Sequence, residues 1–391
     1  MSFLQWLLLA TIIFGHLGIW CALYNQVHAT AWPRPTRKLI EMAMYAAILL
    51  LAIALLAHSI RIRSPLSSTA SLVFAYQVAC LAAAAFFSVR WVIRKLTEKT
   101  PTAFLNHKFN FVDLGARFQT PPIHGVQARI LNAIPGNQIF QLAIEQKTIG
   151  VKRLPPAFDG IKIAHLSDLH LTGKIGKPFF ELIVQQCNEL DPDLVFLTGD
   201  VVDKEPCIDW LPDILGNVVA RIGRYYILGN HDRRVHDTDY LRQKIQQSGF
   251  TRAVGQWNAV TIDNHSIWLL GNETPWFTGS SMLPTETEDP NSTTATDPNA
   301  VRLLLAHTPD LISWAHRHYF DLMFAGHCHG GQIRIPMIGP IISPSRHGVR
   351  FASGVFQIRG TTLMVTRGIS SDDPIRLNCR PELSLITLKK M

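Results

Sequence analysis

Cysteine is sparse in this chain of 391 residues, and its arrangement excludes a disulfide framework. No two of the six cysteines form a CxxC pair, and two of them lie in apolar stretches. The six are Cys21, Cys80, Cys187, Cys207, Cys328 and Cys379. A small secreted protein held together by disulfides would need paired cysteines. The pattern therefore predicts reduced thiols and favours a cytoplasmic location for the soluble part of the chain.

Charged residues are missing from three stretches, residues 1–33, 42–60 and 64–89. Each contains about twenty mainly apolar residues, enough to cross a bilayer core that is about 30 Å thick. Buried helices of a large globular domain are a weaker interpretation, because three such stretches fill the first 90 residues. A cleaved signal peptide is disfavoured, since the first stretch lacks a positive leading segment and an A-x-A-like site. The sequence predicts a membrane region with about three transmembrane helices over residues 1–95.

The positive charge of the chain is concentrated in this membrane region. Residues 1–100 contain nine Lys or Arg and two Glu, whereas the other 28 basic and 27 acidic residues nearly cancel. A protein that binds nucleic acid would carry its basic surplus on the working domain, so no nucleic acid is expected as a partner. Seven basic residues follow the first and third spans, against two on the opposite side. The positive-inside rule then predicts an external amino terminus and a cytoplasmic carboxyl-terminal part, and loss of the third span would invert this topology.

The remainder of the chain divides into a short joining region and a larger domain. Residues 96–157 are predicted to be a linker with one edge strand, IFQLAIEQKTIGVKRL. Over residues 158–391 strands alternate with helices and then outnumber them, which predicts an α/β sandwich of two sheets flanked by helices. The polar stretch 279–299 is predicted to be a flexible surface loop, with a lid near the site as the alternative.

Five apolar runs of the larger domain each end on a residue that can bind a metal ion. The runs end at Asp168, Asp200, Asn230, His307 and His327. His170, His231 and His329 follow closely. Such runs are typical of buried strands, and open α/β sheets place their chemistry beyond the carboxyl ends of the strands. One edge of the fold is therefore expected to collect enough nitrogen and oxygen ligands for two metal ions.

Each motif is weak when it is taken separately, because Asp-x-His or Gly-Asp more often marks a turn or a helix cap. Their order, each after an apolar run, is what favours one shared metal site. Glycine precedes the ligand in TGD and GNHD, where it lets the backbone turn sharply. His165 and Cys328 are expected to be buried packing residues. A turn is favoured for Asn272 and Glu273, while roles in packing or in phosphate binding stay open for Arg367, Arg376 and Asn378.

The series SDLH, TGD, GNHD, AHTPD and GHCHGG resembles the calcineurin-like metallophosphoesterases over roughly residues 161–388. The ending RGISSDDPIRLNCRPELSLITL and the form GHCHGGQIRIP resemble a membrane-tethered bacterial branch of that family. That branch includes phosphoesterases and a lipid-linked nucleotide-sugar pyrophosphatase. The resemblance implies a four-layered α/β/β/α sandwich, here preceded by an α-helical transmembrane region.

The resemblance also implies the role of each site residue. Asp168, His170 and His329 would hold one divalent metal ion. Asn230, His307 and His327 would hold a second ion, and Asp200 would bridge both. His231 would be catalytic and would face the substrate phosphate. Imidazole and carboxylate ligands suit Mn, Fe or Zn better than Mg.

These residue types also agree with the charge that phosphate chemistry requires. Two divalent ions, two carboxylates and one bridging hydroxide leave a net charge of about +1, which attracts an anionic phosphate. Two such ions can activate a shared water, so the reaction needs no Ser or Cys nucleophile. His231 can then donate a proton to the leaving oxygen or stabilise charge on the phosphoryl group.

The expected function is that of a membrane-anchored dinuclear phosphoesterase in the bacterial inner (cytoplasmic) membrane. Its substrate would be a phosphate ester or pyrophosphate, either a phosphate-containing small molecule or a lipid-linked compound. A phosphodiesterase acting on soluble nucleotides is an alternative. A non-catalytic membrane sensor or scaffold is a weaker one, because all seven expected ligands and the additional histidine are present.

Overall fold

A computed structural model of the protein forms two compact units, residues 1–99 and 100–391. It describes residues 1–66, 71–98, 100–277, 297 and 299–391. Almost all of the polar stretch 279–299, predicted to be a surface loop or a lid, lies outside these described residues.

The first unit consists of three long helices. These are α1, Phe3–His28; α2, Arg34–Ile62; and α3, Ser71–Thr97. Each helix is long enough and apolar enough to cross a membrane. The three predicted spans are therefore confirmed as candidates. His16, buried within this apolar unit, satisfies both ring nitrogens with the Tyr76 hydroxyl and the carbonyl of Ile48.

The second unit contains two large sheets and a short hairpin. The strands are β1, Phe104–Asp113; β2, Gln141–Val151; β3, Lys162–Leu166; β4, Leu194–Thr198; β5, Gly223–Ile227; β6, Thr251–Arg252; β7, Asn258–Ile262; β8, His265–Asn272; β9, Arg302–Ala306; β10, Leu322–Ala325; β11, Arg334–Ile335; β12, Gly339–Pro340; β13, Gly354–Ile358; β14, Thr361–Val365; and β15, Glu382–Lys390. A seven-stranded sheet has the order β1-β2-β15-β3-β4-β5-β6, and a six-stranded sheet has the order β13-β14-β10-β9-β8-β7. The central strands β3, β4 and β5 are parallel, as are β8, β9, β10 and β14.

Helices cover the outer faces of both sheets. The helices are α4, Val126–Asn132; α5, Lys177–Glu189; α6, Leu211–Leu215; α7, Thr238–Gln247; and α8, Ile312–Arg317. Helices α5, α6 and α7 share one apolar cluster with the seven-stranded sheet, and α8 shares another with the six-stranded sheet. A third cluster joins the facing sides of the two sheets. The result is the α/β/β/α sandwich that the sequence predicted.

The alternation of side chains along the strands explains why these runs are almost wholly apolar. Ala164 and Val195 face the outer helices, whereas their neighbours Ile163 and Phe196 face the second sheet. Successive residues of a strand point to opposite faces of the sheet. In a strand buried on both faces, every side chain therefore packs in an apolar layer.

The predicted edge strand lies elsewhere in the sheet. The segment IFQLAIEQKTIGVKRL forms β2, which is paired on one side with β1 and on the other with β15. The edge is β1, whose side chains are mostly exposed. The prediction of an edge position for this segment is therefore wrong, because a mixed strand preceding a domain gives no local indication that the chain's last strand will pair with it.

A buried ionic network connects β2 with β15. The Lys147 ammonium contacts the carboxylate of Glu382, and the Arg367 guanidinium contacts both Glu382 and Glu145. Burial opposes the charge of Glu382, but Arg367 and Lys147 outweigh it and hold the pKa of that carboxyl well below its usual range. The ionised pair thus adds stability above the ordinary glutamate pKa, and this contribution is lost as the pH falls toward the depressed value.

Replacing Lys147 by Met should therefore destabilise the second unit. Leaving Glu382 with one partner fewer should cost about 3 kcal/mol, since breaking a buried ion pair is expensive. The measurement is the unfolding temperature of the full-length protein at neutral pH. Lys162→Met is the control, because its pair with Asp191 is exposed and should contribute less than about 1 kcal/mol. Equal effects of the two substitutions would contradict the buried network as a source of stability.

Candidate metal centre

The carboxyl ends of five strands bring the seven predicted ligands together. Asp168 follows β3, Asp200 follows β4 and Asn230 follows β5, all in the seven-stranded sheet. His307 follows β9 and His327 follows β10 in the other sheet. The two sheets therefore contribute ligands from neighbouring edges, and His170 and His329 complete the set from the loops.

Five of these residues adopt the left-handed backbone conformation that non-glycine residues rarely use. They are Asp168, His170, Asp200, His327 and His329, with φ between 45° and 67°. Such conformations cost about 1–3 kcal/mol each and persist only where the surrounding structure enforces them. Their concentration here indicates that the loop conformations are set by the placement of these side chains and not by the lowest local backbone energy.

Two glycines allow the loops to approach one another closely. A β-carbon at Gly229 would lie 2.3 Å from Oδ1 of Asp200, and one at Gly326 would lie 2.3 Å from Oδ2 of Asp168. No side chain fits at either position, so the glycines of the GNHD and GHCHGG motifs are required by close packing against ligand carboxylates.

The first group of donors contains Asp168, His170 and His329. The Nε2 atoms of His170 and His329 lie 3.1 Å apart. Oδ1 of Asp168 lies 3.8 Å from Nε2 of His170 and 3.6 Å from Nε2 of His329. All three side chains direct a donor atom to one point.

The second group contains Asn230, His307 and His327 together with Asp200. Nε2 of His307 lies 3.1 Å from Oδ2 of Asp200 and 3.2 Å from Oδ1 of Asn230. His327 offers a ring nitrogen within 4.8 Å of the donor atoms of Asp200 and His307. Oδ2 of Asp200 is also 3.6 Å from Nε2 of His170, so this one oxygen faces both groups.

The spacing of the donor atoms fits divalent metal ions. Nitrogen and oxygen ligands about 2.1 Å from a metal lie about 3.0–3.4 Å from one another in octahedral or tetrahedral coordination. The shortest separations in each group are 3.1 Å and 3.1–3.2 Å. The donor set of imidazole, carboxylate and one amide contains no thiolate, and it suits Mn, Fe or Zn.

The electrostatics of the site also favour positive charge between these residues. Burial raises the pKa of Asp168, whereas for Asp200 the neighbouring imidazoles outweigh burial and hold the pKa well below its usual range. Burial opposes protonation of His170 and His307, but Asp203 and Asp200, respectively, help to outweigh it and raise each pKa to about 9. The buried carboxylates therefore attract cations, whether protons or metal ions.

His231 lies beside these groups with both ring nitrogens engaged. Its Nδ1 is 2.5 Å from Oδ1 of Asp203, and its Nε2 is 3.0 Å from Nη2 of Arg234. The backbone N–H of His231 donates to Oδ1 of Asp200 at 2.7 Å. His231 is near enough to His170 and Asp200 to join a cation site, and its ring is partly exposed beside Arg234.

Asp203 is a functional residue that the sequence analysis missed. It accepts hydrogen bonds from Nδ1 of both His170, at 2.8 Å, and His231, at 2.5 Å. A carboxylate can only accept, so it places the proton of each ring on Nδ1 and turns Nε2 toward the site. The available signal was an aspartate three residues after Asp200, which is indistinguishable from a surface residue without the fold.

Asp232 was also missed, and its role is to hold the loops in place. Its carboxylate accepts from the backbone N–H groups of Val201 and Val202, each at 2.9 Å, and of Gly229, at 2.7 Å. Burial, with the nearby charge of Asp200, raises its pKa to about 7. It thus fastens the loop after β4 to the loop after β5.

The packing roles expected for His165 and Cys328 are confirmed. His165 is buried and contacts the Thr198 hydroxyl at 2.8 Å, and Cys328 is buried.

Of the two residues for which a turn was favoured, Asn272 ends β8, and Glu273 begins a turn in which its carbonyl accepts from the backbone N–H of Trp276 at 3.2 Å. The Glu273 side chain is fully buried and accepts from the backbone N–H of Leu228 at 2.9 Å.

Arg376 is the tail residue that reaches the site. Its guanidinium is fully buried, donates to the carbonyls of His329 and Arg367, and lies 3.1 Å from Nδ1 of His329. Arg367 pairs with buried glutamates, and the Asn378 amide donates to the carbonyl of Arg334.

The site opens on one side only among its described residues. The side chains of Asp168, His170, Asp200 and His307 are at most 1% exposed, whereas those of His231 and His329 are about 15% exposed. Asn230 is also only partly buried, so a ligand must approach from the side of Asn230, His231 and His329.

Comparison with known proteins relates the second unit to a known family. Residues 161–330 match the sequence model of the calcineurin-like phosphoesterases. The uncharacterised metallophosphoesterase YkuE of Bacillus subtilis is 28% identical over 256 residues, which cover 62% of this chain and 84% of the relative. The phosphodiesterase YaeI of Escherichia coli is 29% identical over 231 residues, covering 58% and 82%.

A third relative is named for a defined substrate. The UDP-2,3-diacylglucosamine pyrophosphatase LpxG of Chlamydia muridarum is 25% identical over 283 residues, which cover 60% of this chain and 86% of the relative.

The residues that match the family model, 161–330, include all seven predicted ligands and His231. The chain therefore carries, over residues 161–330 and after three candidate membrane helices in sequence, a domain of the calcineurin-like phosphoesterase type, and it is a phosphoester hydrolase.

Proposed function

We propose that the protein is a dinuclear phosphoesterase whose two metal ions share Asp200. The observation that carries this proposal is the position of Oδ2 of Asp200, 3.6 Å from Nε2 of His170 and 3.1 Å from Nε2 of His307. One carboxylate oxygen facing two separate donor groups is the arrangement that a pair of bridged cations requires. We assign the catalytic domain to residues 158–391.

The seven residues divide between the two ions as follows. Asp168, His170 and His329 hold the first ion, Asn230, His307 and His327 hold the second, and Asp200 contributes to both. Two divalent ions supply Lewis-acid polarisation of the phosphoryl group and activation of a water molecule. We favour Mn, Fe or Zn over Mg because the set contains four imidazoles.

The residues around the ions position the substrate and move protons. His231 lies on the open side, where its Nε2, once protonated and released from Arg234, can donate to a phosphoryl oxygen or to the leaving oxygen. Asp203 fixes the orientation of that ring through Nδ1. Arg234, 3.0 Å from Nε2 of His231, adds a permanent positive charge beside the place where the phosphate charge develops.

The substrate that we favour is a lipid-linked phosphate ester or pyrophosphate at the cytoplasmic face of a bacterial inner membrane. Support comes from the three candidate spans and from the LpxG relative, whose named substrate carries two acyl groups. The alternative is a soluble nucleotide phosphodiester, supported by the name of the E. coli relative. The basic residues flanking α1 and α3 favour a multi-pass protein with an external amino terminus and a cytoplasmic catalytic domain.

A substrate panel tests the function. The full-length protein in detergent with Mn²⁺ would be given a soluble aryl phosphodiester, nucleotide phosphodiesters, and an acylated nucleotide-sugar pyrophosphate. Preference for the acylated compound supports the lipid-linked substrate, and preference for free nucleotides supports the alternative. Failure to hydrolyse every compound would overturn the enzymatic proposal.

Asp200→Asn should weaken the binding of both ions together. An amide lacks the charge needed to bridge two cations, so the metal content of protein purified without chelator should fall from about two ions toward zero. Elemental analysis of the purified protein makes this measurement. Asp239→Asn is the matched control, because Asp239 lies on α7 with its side chain 88% exposed. Loss of only one ion would contradict the bridging role.

His231→Ala should retain metal but lose most turnover. Removing a general acid or a phosphate contact lowers kcat by about 10²–10⁴-fold, whereas the seven ligands stay in place. Aryl phosphodiester hydrolysis and metal content would be measured on the same sample. His236→Ala, an exposed histidine five residues away, serves as the control. Unchanged turnover in the His231 variant would exclude its catalytic role.

A further inference from the structure

A hairpin of the second unit exposes an unusual amount of apolar surface. Strands β11 and β12 are joined by a three-residue turn, and Met337 at its tip is 92% exposed. The other exposed apolar residues of the hairpin and its flanks are Ile333, Ile335, Ile338, Ile341 and Ile342. Soluble proteins rarely expose so many large apolar side chains within ten residues, and such patches usually mark an interaction site.

Basic residues outnumber acidic ones in the segments that form and flank the hairpin. Residues 332–352 contain three arginines and neither Asp nor Glu, and residues 114–140, which include α4, contain two arginines and likewise no acidic residue. Acidic side chains reach these segments from elsewhere in the chain, because Asp310 accepts from the Ser345 hydroxyl and Asp373 accepts from the Gln127 amide. Apolar side chains beside a surplus of cationic ones are the composition of surfaces that enter the interface of an anionic bilayer.

The base of the hairpin is firmly attached, whereas Met337 at its tip is exposed. The backbone N–H of Arg334 donates to the carbonyl of Leu377, and its guanidinium donates to the carbonyl of Gly330 and the hydroxyl of Ser353. The Asn378 amide donates to the Arg334 carbonyl at 3.0 Å. The apolar residues are thus presented on a fixed support.

Hydrogen bonds connect the start of the hairpin to the open side of the site. The Gln332 amide donates to the carbonyl of Asp373, and the neighbouring Asp372 pairs with Arg234, which contacts His231.

The hairpin begins at Arg334, five residues after His329, which is one of the three partly exposed residues of the site. Met337 is the eighth residue after His329, so the tip lies within about 30 Å of that residue. The hairpin surface and the site therefore belong to one region of the second unit.

Helix α4 flanks the hairpin across one short segment of chain. Leu377 forms isolated β-bridges with both Ile333 and Asn137. The Asn137 side-chain amide donates to the carbonyl of Leu131 in α4. On this helix Val126 and Ile130, one turn apart, are 76% and 63% exposed. A second apolar and cationic element thus lies beside the first.

We propose that the β11–β12 hairpin is a membrane-docking loop that inserts its apolar tip into the interface of an anionic bilayer. The partner is the lipid surface, because the surrounding arginines complement its charge and because the chain carries three candidate spans that keep the second unit near a membrane. Docking would hold the open side of the metal centre close to the headgroups. The docking proposal rests on the lipid-linked substrate of the proposed function and adds the surface that meets the lipid. The test of docking does not depend on hydrolysis.

Fluorescence of a labelled hairpin provides that test. Met337→Cys and Val219→Cys would each be made in full-length protein carrying Cys21→Ser, because the other five cysteines are buried. Val219 is a matched control, since it is 63% exposed and precedes β5, at the end of the sheet opposite the metal centre. Each would carry an environment-sensitive dye and be placed in phosphatidylcholine nanodiscs, with or without phosphatidylglycerol.

The dye at residue 337 should shift to shorter wavelength and be quenched by lipids carrying nitroxides in their acyl chains. Both effects should increase with phosphatidylglycerol, and neither should occur at residue 219. Absence of quenching at 337 in every lipid would overturn the proposal. A shifted dye that the lipid nitroxides do not quench would also overturn it, because the tip would then be covered by protein, such as a second copy of the chain.

Activity separates this proposal from the proposed function. If the hairpin docks, anionic lipid should slow tryptic cleavage after Arg334 in the wild-type protein. Met337→Asp should abolish this protection, while hydrolysis of a soluble aryl phosphodiester in detergent stays unchanged. If the wild-type protein hydrolyses nothing, quenching at residue 337 still establishes docking, and the phosphoesterase proposal fails alone. If hydrolysis is present without quenching, only the docking loop is refuted.

Discussion

The carboxylate of Asp200 is the point on which the site depends. It is almost completely buried, one oxygen accepts the backbone N–H of His231, and the other faces histidines from two different sheets. A buried charge of this kind is tolerated only with strong compensation, which cations or protonated imidazoles must provide. The geometry of the surrounding loops can be understood as the means of keeping that charge buried and compensated.

The fold meets this requirement by stacking two sheets with their ligand-bearing ends together. The apolar layer between the sheets sets their separation, and parallel strands deliver one ligand loop each to the same edge. The loops then adopt strained conformations at five ligand positions, with Gly229 and Gly326 allowing contacts too close for any side chain. Asp232 ties two of the loops through three backbone hydrogen bonds. A rigid scaffold therefore bears the strain that positions the predicted metal ligands.

The hairpin that follows His329 is also held by the rigid structure that supports the site. Its base is fixed by hydrogen bonds to the tail of the chain, in the segment whose buried Arg376 also contacts His329. The tail is thus a structural link between a ligand and an exposed apolar surface. Placing a metal centre and a membrane-seeking loop on one support would suit an enzyme whose substrate carries both phosphate and acyl chains.

The sequence by itself determined the three candidate membrane helices, the two-sheet architecture and the residues that gather at the site. Those conclusions rest on local patterns, namely charge-free stretches, apolar runs and the turn residues that follow them, and local patterns survive without knowledge of the fold. Only the tertiary structure decided that β2 lies inside the sheet, since its partner β15 is the last strand of the chain. It also revealed Asp203 as the partner of two histidines and the hairpin tip as exposed. Contacts between residues distant in sequence arise from the packing of sheets and loops, and no spacing along the chain encodes them.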